Sequence, residues 1–325
     1  MEKPRFGIIG VGQMGSIHLD LLKERNDVVV EAVCDIDEER LREAEKKGVK
    51  RLYKDYQAMI DEGGFDAVII ATPPKHHVEQ AIYAYKKGLY VLLEKPVATS
   101  LDDALKLYNV TGDTTKIMVA FSLRYHPFYE KIKKIMDEKL GKPLLLWHIA
   151  LGRIPPMKWV TDRNISGGML NENGVHIIYL YYWWAGVPKS VTARMWTLTK
   201  GISIEDNIIV EMEHSLARSS FIQSWSGGHR WRKWGVVTEK GRITCEGYLS
   251  GNYTISLSQD KIVEESSITI DPLDMYRKQL DHFIDCIVNG IRPVTSIVDG
   301  VKVQEIIEAA YKSAKENTSI RLPLL

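Results

Sequence analysis

Residues 5–35 read RFGIIGVGQMGSIHLDLLKERNDVVVEAVCD. The stretch opens on a short apolar run and breaks into Gly10-Val-Gly12-Gln13-Met14-Gly15. It continues with Ile17, Leu21 and Leu22 at helical spacing, and a Val-rich run ends it at Asp35. Alone, GxGxxG arises by chance in roughly one chain in ten of this length. Between a strand and a helix, with an acid twenty residues after the third glycine, it predicts a dinucleotide-binding unit. Gly10 permits the tight turn, Gly12 lets backbone approach a pyrophosphate, and Gly15 lets helix and strand pack closely. The free N–H groups of the helix start and its positive dipole end suit phosphates. The carboxylate of Asp35 suits ribose hydroxyls and repels a 2′-phosphate, so NAD is expected over NADP. Ile36 and Asp37 follow with no immediate cation, and Arg40 is the nearest one.

Working outward, the first 120 residues keep alternating strand and helix patterns. The run 67–71 is wholly apolar, as a strand buried on both faces of a parallel sheet requires. Residues 77–87 read as a helix closed by Gly88, 90–93 as a strand, 101–108 as a helix and 117–121 as another apolar run. This predicts a Rossmann-type, doubly wound parallel sheet. After about residue 121 a helix over 128–138 leads into longer β-rich runs, at 144–151, 189–199, 207–213, 218–226, 234–238, 253–257 and 262–270. They predict an α/β domain with a large, mostly antiparallel sheet open on one face. Two helices follow, near 274–288 and 298–315. The expected domains are 1–122 and 123–325, packed together, since no Gly/Ser tract separates them.

Composition narrows the function classes. The chain has 325 residues, enough for two domains. Lys plus Arg number 43 against 42 Asp plus Glu, which argues against a nucleic-acid-coating protein. The longest apolar stretch, 177–187, is too short to span a bilayer. Cys34, Cys245 and Cys286 are odd in number and far apart, which excludes a disulfide framework or a cysteine zinc site. With no apolar leader at the start, a reducing, cytoplasmic setting is expected.

Further motifs stand in a fixed order: Ala71-Thr72-Pro73-Pro-Lys-His76-His77, Glu94-Lys95-Pro96, Arg124-Tyr125-His-Pro127, and Gly167-Gly-Met-Leu-Asn171-Glu172-Asn173-Gly174-Val-His176. Near the C-terminus come Phe283, Gly290, Pro293, Asp299-Gly300 and Ala310-Tyr-Lys-Ser313. In this order and spacing the chain resembles the Gfo/Idh/MocA oxidoreductases over nearly its whole length. The resemblance implies NAD(P)-dependent oxidation or reduction of a sugar, polyol, cyclitol or sugar derivative. It implies catalytic roles for Lys95 and His176, with Glu172 where relatives usually carry Asp. It brings Gly10, Gly12, Gln13, Met14, Gly15, Asp35, Ile36, Thr72, Pro73, His77, Glu94, Lys95 and Arg124 to the cofactor. It brings Lys95, Tyr125, Trp159, Asn173 and His176 to the substrate. A cis bond before Pro96 and a homodimer or homotetramer through the open sheet are implied as well. The departures are Glu172 for Asp, Asn173 for an apolar residue, Tyr179 for a frequent Asp, and Val160 where Arg often follows Trp159.

The chemistry fits these residue types. Oxidising a secondary alcohol needs a hydride acceptor and a base; His titrates near neutral pH, and a desolvated Lys can reach that range. Glu172 and His176 are four apart, so on an α-helix they share a face. Such a pair is also half a metal site, but no third ligand completes a metal motif and no metal is expected. Trp225-Ser-Gly-Gly-His-Arg-Trp231-Arg-Lys-Trp234 reads as a hairpin whose Trp residues line an oligomerisation face, ahead of an anionic-ligand contact. Two other functions fit the same residues. One is a glycosidase that cycles a tightly bound NAD; the other is a non-catalytic NAD-binding sensor, as some members of the family are.

Overall fold

A computed structural model describes residues 3–247, 251–257 and 262–324, with the side chains of 251, 257 and 262–265 left out. The chain divides into two compact units, Met1–Phe121 with Tyr276–Val301, and Ser122–Met275 with Lys302–Leu325. The continuous split at 122/123 therefore differs from these units over Tyr276–Val301, which packs with the first.

The first unit holds a six-stranded sheet: β1 (Arg5–Ile9), β2 (Val29–Cys34), β3 (Arg51–Tyr53), β4 (Ala67–Ile70), β5 (Tyr90–Leu93) and β6 (Ile117–Val119). The spatial order is β3-β2-β1-β4-β5-β6 and every pairing is parallel, the doubly wound arrangement. All four residues of β4 have no exposed surface, as burial on both faces demands. The helices are α1 (Gln13–Lys23), α2 (Glu38–Lys46), α3 (Tyr56–Glu62), α4 (His77–Lys86) and α5 (Leu101–Thr111). Asp37, Asp55 and Ser100 cap α2, α3 and α5 by accepting backbone N–H bonds. The long helix α9 (Asp274–Asn289, numbered in chain order) sets Phe283 edge-on to Phe6 of β1, 6.1 Å between centroids.

The second unit is built on nine strands: β7 (Pro143–Arg153), β8 (Ser190–Trp196), β9 (Asn207–Glu213), β10 (Arg218–Ser224), β11 (Ser226–Thr238), β12 (Gly241–Gly247), β13 (Gly251–Leu257), β14 (Ile262–Ile268) and β15 (Ile320–Arg321). Their order is β14-β13-β12-β11-β7-β10-β9-β8-β15, antiparallel except for the parallel pair β7–β10. The helices are α6 (Pro127–Ile135), α7 (Arg163–Ser166), α8 (Val175–Ala185) and α10 (Ile297–Glu316), the last shared between the units. One sheet face packs on helices through Phe128, Tyr129, Trp184, Trp234 and Tyr253, whose rings lie 5.5–6.0 Å apart. The other face carries the cross-strand pairs Leu145/Val237 and Trp147/Gly235. The indole of Trp147 lies across Gly235, whose added Cβ would fall 2.7 Å from its Nε1.

Residues 225–234 do not form the expected hairpin. Residues 226–238 run as one strand along β7, with an irregularity between Ser226 and Trp231 that takes up the Gly-Gly pair. Trp225 and Trp234 are buried, and only Trp231 is exposed. Among the described residues no helix is long and apolar enough to cross a membrane.

Candidate functional site

In the first unit the expected cofactor residues follow the carboxyl ends of neighbouring strands: Gly10 after β1, Asp35 after β2, Thr72 after β4, Glu94 and Lys95 after β5. The glycine turn explains its own composition. Gly10 has φ +85°, and an added Cβ would sit 2.9 Å from the Ala71 carbonyl. A Cβ on Gly15 would lie 1.8 Å from Gly10 O, so only glycine lets α1 close on the turn. Gly12 meets nothing nearer than Arg40 Nη1 at 3.5 Å, and no side chain caps α1. This is the open backbone cradle that a pyrophosphate requires, so the residues present fit a dinucleotide.

Asp35 is 6% exposed, and backbone fixes its carboxylate. Val11 N–H donates to Oδ2 at 2.8 Å and Asp37 N–H to Oδ1 at 3.0 Å. Arg40, half-exposed, reaches the same Oδ2 at 3.5 Å, so a cation stands beside this carboxylate. Ile36 is 87% exposed.

His77 is buried, its Nε2 2.7 Å from Thr72 O and its Nδ1 2.7 Å from Pro96 O. Burial lowers its pKa, against the pull of the two carbonyls. The neutral ring has one N–H and donates to only one of these carbonyls, while its body packs between the loop after β4 and the loop after β5. Thr72 Oγ1 donates to Gln80 Oε1 at 2.6 Å, which steadies the same loop. Glu94 is buried; its Oε1 lies 3.1 Å from His18 Nε2, and its Oε2 accepts the Lys95 N–H at 3.2 Å. His18 Nδ1 is buried with no hydrogen-bond partner, so the contact with Glu94 is the one polar contact shown for this ring. The Lys95–Pro96 peptide is cis. Lys95 itself is half-buried.

The second unit gathers the remaining candidates. Arg124 stacks on Trp183, 4.0 Å from the ring centroid, and Tyr125 is buried beside it in chain order. Trp159 sits in a short 3-10 turn, Lys158–Thr161, and Val160 is wholly buried, which accounts for an apolar residue there. Asp162 caps α7 by accepting Asn164 N–H at 2.9 Å.

Residues Leu170–Gly174 form a π-helical turn, and α8 begins only at Val175. Glu172 and His176 are therefore not on one continuous α-helix, as their spacing suggests; a wider turn carries the first into the second. Both side chains are half-buried. Asn173 Oδ1 accepts from Gln223 Nε2 of β10 at 2.7 Å. Tyr179, in the place of a frequent Asp, is buried against Tyr182.

Sequence reasoning gave no role to the groups that hold this turn. Glu205 Oε1 accepts Leu170 N–H at 2.9 Å and Tyr311 Oη–H at 2.7 Å, and Arg163 bonds its Oε2. Tyr311 Oη also accepts Asn171 N–H at 3.3 Å. Gln304 and the Ser166 carbonyl fix the Asn171 amide at 3.0 and 2.9 Å. Nothing in the sequence flags Glu205, which lies 35 residues from Leu170. Among the described residues no cluster of three or more His, Cys, Asp or Glu is arranged to hold a metal ion.

Comparison with known proteins identifies relatives along the whole chain. The chain is 24% identical over 326 residues to a D-xylose 1-dehydrogenase (NADP(+)) of Haloferax volcanii, covering 98% of this chain and 99% of the other. It is 27% identical over 333 residues to a myo-inositol 2-dehydrogenase of Thermotoga maritima, covering 98% of each. It shares its fold with the WlbA dehydrogenase of Bordetella pertussis, solved with NADH and UDP-GlcNAcA: TM-score 0.84, 24% identity, 99% and 100% coverage. Residues 4–121 match the oxidoreductase-family NAD-binding Rossmann fold and 132–322 its C-terminal alpha/beta domain, so the chain belongs to the Gfo/Idh/MocA family of oxidoreductases.

Proposed function

We propose that this protein is an NAD-dependent dehydrogenase that oxidises a CH–OH group of a sugar, polyol, cyclitol or sugar derivative. The observation that carries the reading is the edge of the parallel sheet. The open glycine cradle, the backbone-fixed Asp35 and the Glu94–Lys95 pair stand there on β1, β2 and β5. Gly10, Gly12, Gln13, Met14 and Gly15 hold the pyrophosphate. Asp35 takes the ribose hydroxyls and Ile36 covers the adenine. Thr72, Pro73, His77, Glu94 and Arg124 border the nicotinamide half.

Bound NAD supplies the hydride acceptor. His176 takes the hydroxyl proton, Lys95 donates a hydrogen bond to the reacting oxygen and steadies its charge, and Glu172 orients the imidazole or binds a neighbouring hydroxyl. Tyr125, Trp159 and Asn173 bind the rest of the substrate. A fixed carboxylate at Asp35 disfavours a 2′-phosphate, so NAD is the preferred partner despite Arg40. The apolar outer sheet face at Leu145, Trp147 and Val237 is where further copies of the chain associate.

Purified protein is incubated with NAD or NADP and a panel including myo-inositol, D-xylose, other aldoses and nucleotide sugars, following reduced cofactor by absorbance. NAD reduction that vanishes in Lys95→Ala supports the reading. No reduction across the panel by protein that binds NADH overturns it, in favour of the redox-cycling glycosidase or the sensor.

A further inference from the structure

The turn that carries Glu172 and Asn173 begins with backbone donors that its own helix does not satisfy. The first N–H groups of any helix lack acceptors, and a nearby side chain usually supplies them. Here no residue of the turn does so. The donors at Leu170 and Asn171 end instead on Glu205 Oε1 and Tyr311 Oη, from the loop before β9 and from α10. Glu205 is 4% exposed, and both its oxygens are filled, by Leu170, Tyr311 and Arg163. Burial and the neighbouring carboxylate raise the Tyr311 pKa well above its ordinary value, so the hydroxyl keeps its proton and donates a hydrogen bond to Glu205.

The same groups fix the approach to the turn. Arg163 lies over the Tyr311 ring at 4.7 Å and donates to Gly167 O at 3.3 Å. Gly168 has φ +107°, and an added Cβ would fall 2.3 Å from Tyr311 Oη and 2.9 Å from Glu205 Oε2. The backbone there rests directly on the buried carboxylate and hydroxyl, leaving no room for a side chain.

We propose that Arg163, Glu205 and Tyr311 form a cap supplied from distant segments of the same chain, and that they are positioning residues for Glu172 and His176. A carboxylate at the positive end of a helix, bonded to its first N–H groups, fixes both the axial height and the rotation of that first turn. The rotation sets where residues 172 and 176 point. The wide turn at Leu170–Gly174 makes this cap necessary, because its irregular ladder gives less resistance to slipping than an α-helix. The positioning role rests on the reading that Glu172 and His176 carry the chemistry; the cap itself does not.

The test uses Tyr311→Phe, which removes one oxygen atom, and Glu205→Gln, which keeps the shape and removes the charge. In the wild type, the Leu170 and Asn171 amides are expected to exchange with deuterium as slowly as the core of their unit. Exchange at the rate of a surface loop would overturn the cap without any variant. In both variants these two amides exchange faster. The His176 resonance of ring-labelled protein, assigned with His176→Asn, shifts its position or its titration midpoint. With whichever substrate the wild type oxidises, kcat falls about 10- to 100-fold, as displacement of reacting groups by an ångström does. NADH affinity, read by cofactor fluorescence, stays within about twofold, because the cofactor residues of the glycine turn are untouched. Folded variants with an unchanged His176 resonance, or with wild-type kcat, overturn the positioning role. A wild type that oxidises nothing would instead overturn the dehydrogenase reading, and exchange and resonance data would still judge the cap.

Discussion

His148 stands on the inner face of β7, buried, with its ring edge-on to Phe221 at 5.7 Å and its Nε2 without a partner. Burial, with a smaller contribution from Arg232, lowers its pKa from 6.5 to about 3. The unfolded chain therefore takes up this proton first as pH falls. The group contributes no penalty above pH 6.5, and stability is lost progressively from there down to about pH 3. At pH 5.0 the unfolded state gains about 2 kcal/mol from this one proton, a large share of a domain's stability. Phe221 also lies under Gly174, whose added Cβ would be 3.1 Å from its ring, so the loss falls beneath the turn that leads to His176. His148→Leu removes the titration and keeps apolar contact with Phe221. All eight tryptophans, Trp147 through Trp234, belong to the second unit, so urea unfolding followed by tryptophan fluorescence reads that unit. Between pH 7.5 and 5.0 the variant should lose about 2 kcal/mol less than the wild type. The difference between the two proteins cancels other groups, such as His214, whose pKa burial also lowers. Equal losses in both proteins would refute the argument.

Two further outcomes follow from the same geometry. Gly15→Ala places a methyl 1.8 Å from Gly10 O, so the turn must open; NADH binding should weaken by on the order of 3 kcal/mol, checked by cofactor fluorescence, while the second unit's urea midpoint stays put. The three buried thiols are held up by burial, Cys34 to about 12, Cys286 to about 11 and Cys245 higher still. A thiol-specific disulfide reagent at pH 8 should therefore label none of them until urea is added, and one rapid equivalent on the native protein would contradict this.

The first unit was legible because its signals are local. A strand, a glycine turn, a helix and an acid within 31 residues specify β1, α1, β2 and the placement of Asp35, and the apolar 67–71 run specifies a strand buried on both sides. The second unit was legible as a β-rich domain but not in its register. β12 escaped notice because Gly241–Gly247 is bounded by glycines and carries only Ile243 and Cys245 on its buried face, too few apolar residues to stand out. Ser226-Gly-Gly reads as a turn by local chemistry, yet pairing with β7 holds it in one strand, a tertiary effect overriding a local preference. At the site, residue types were readable and their supports were not. Glu205, Tyr311 and Gln223 act through contacts spanning 35, 140 and 50 residues, which no periodicity encodes. His77 was expected at the cofactor; its ring nitrogens lie against two loop carbonyls, so any contribution it makes passes through the loops it packs between.

The wide turn at Leu170–Gly174 also bears on how the site can be altered. Such a turn holds one residue more than a regular α-helical turn. Deleting one residue there would let the helix close into a regular ladder and rotate everything ahead of it by about 100° relative to His176. A carboxylate at 172 can therefore be moved relative to His176 in two independent ways, in steps of a methylene by side-chain length and in steps of a turn by insertion or deletion. The first route costs folding little. The second route is closed unless Glu205 and Tyr311, which accept the first N–H groups of the turn, change with it.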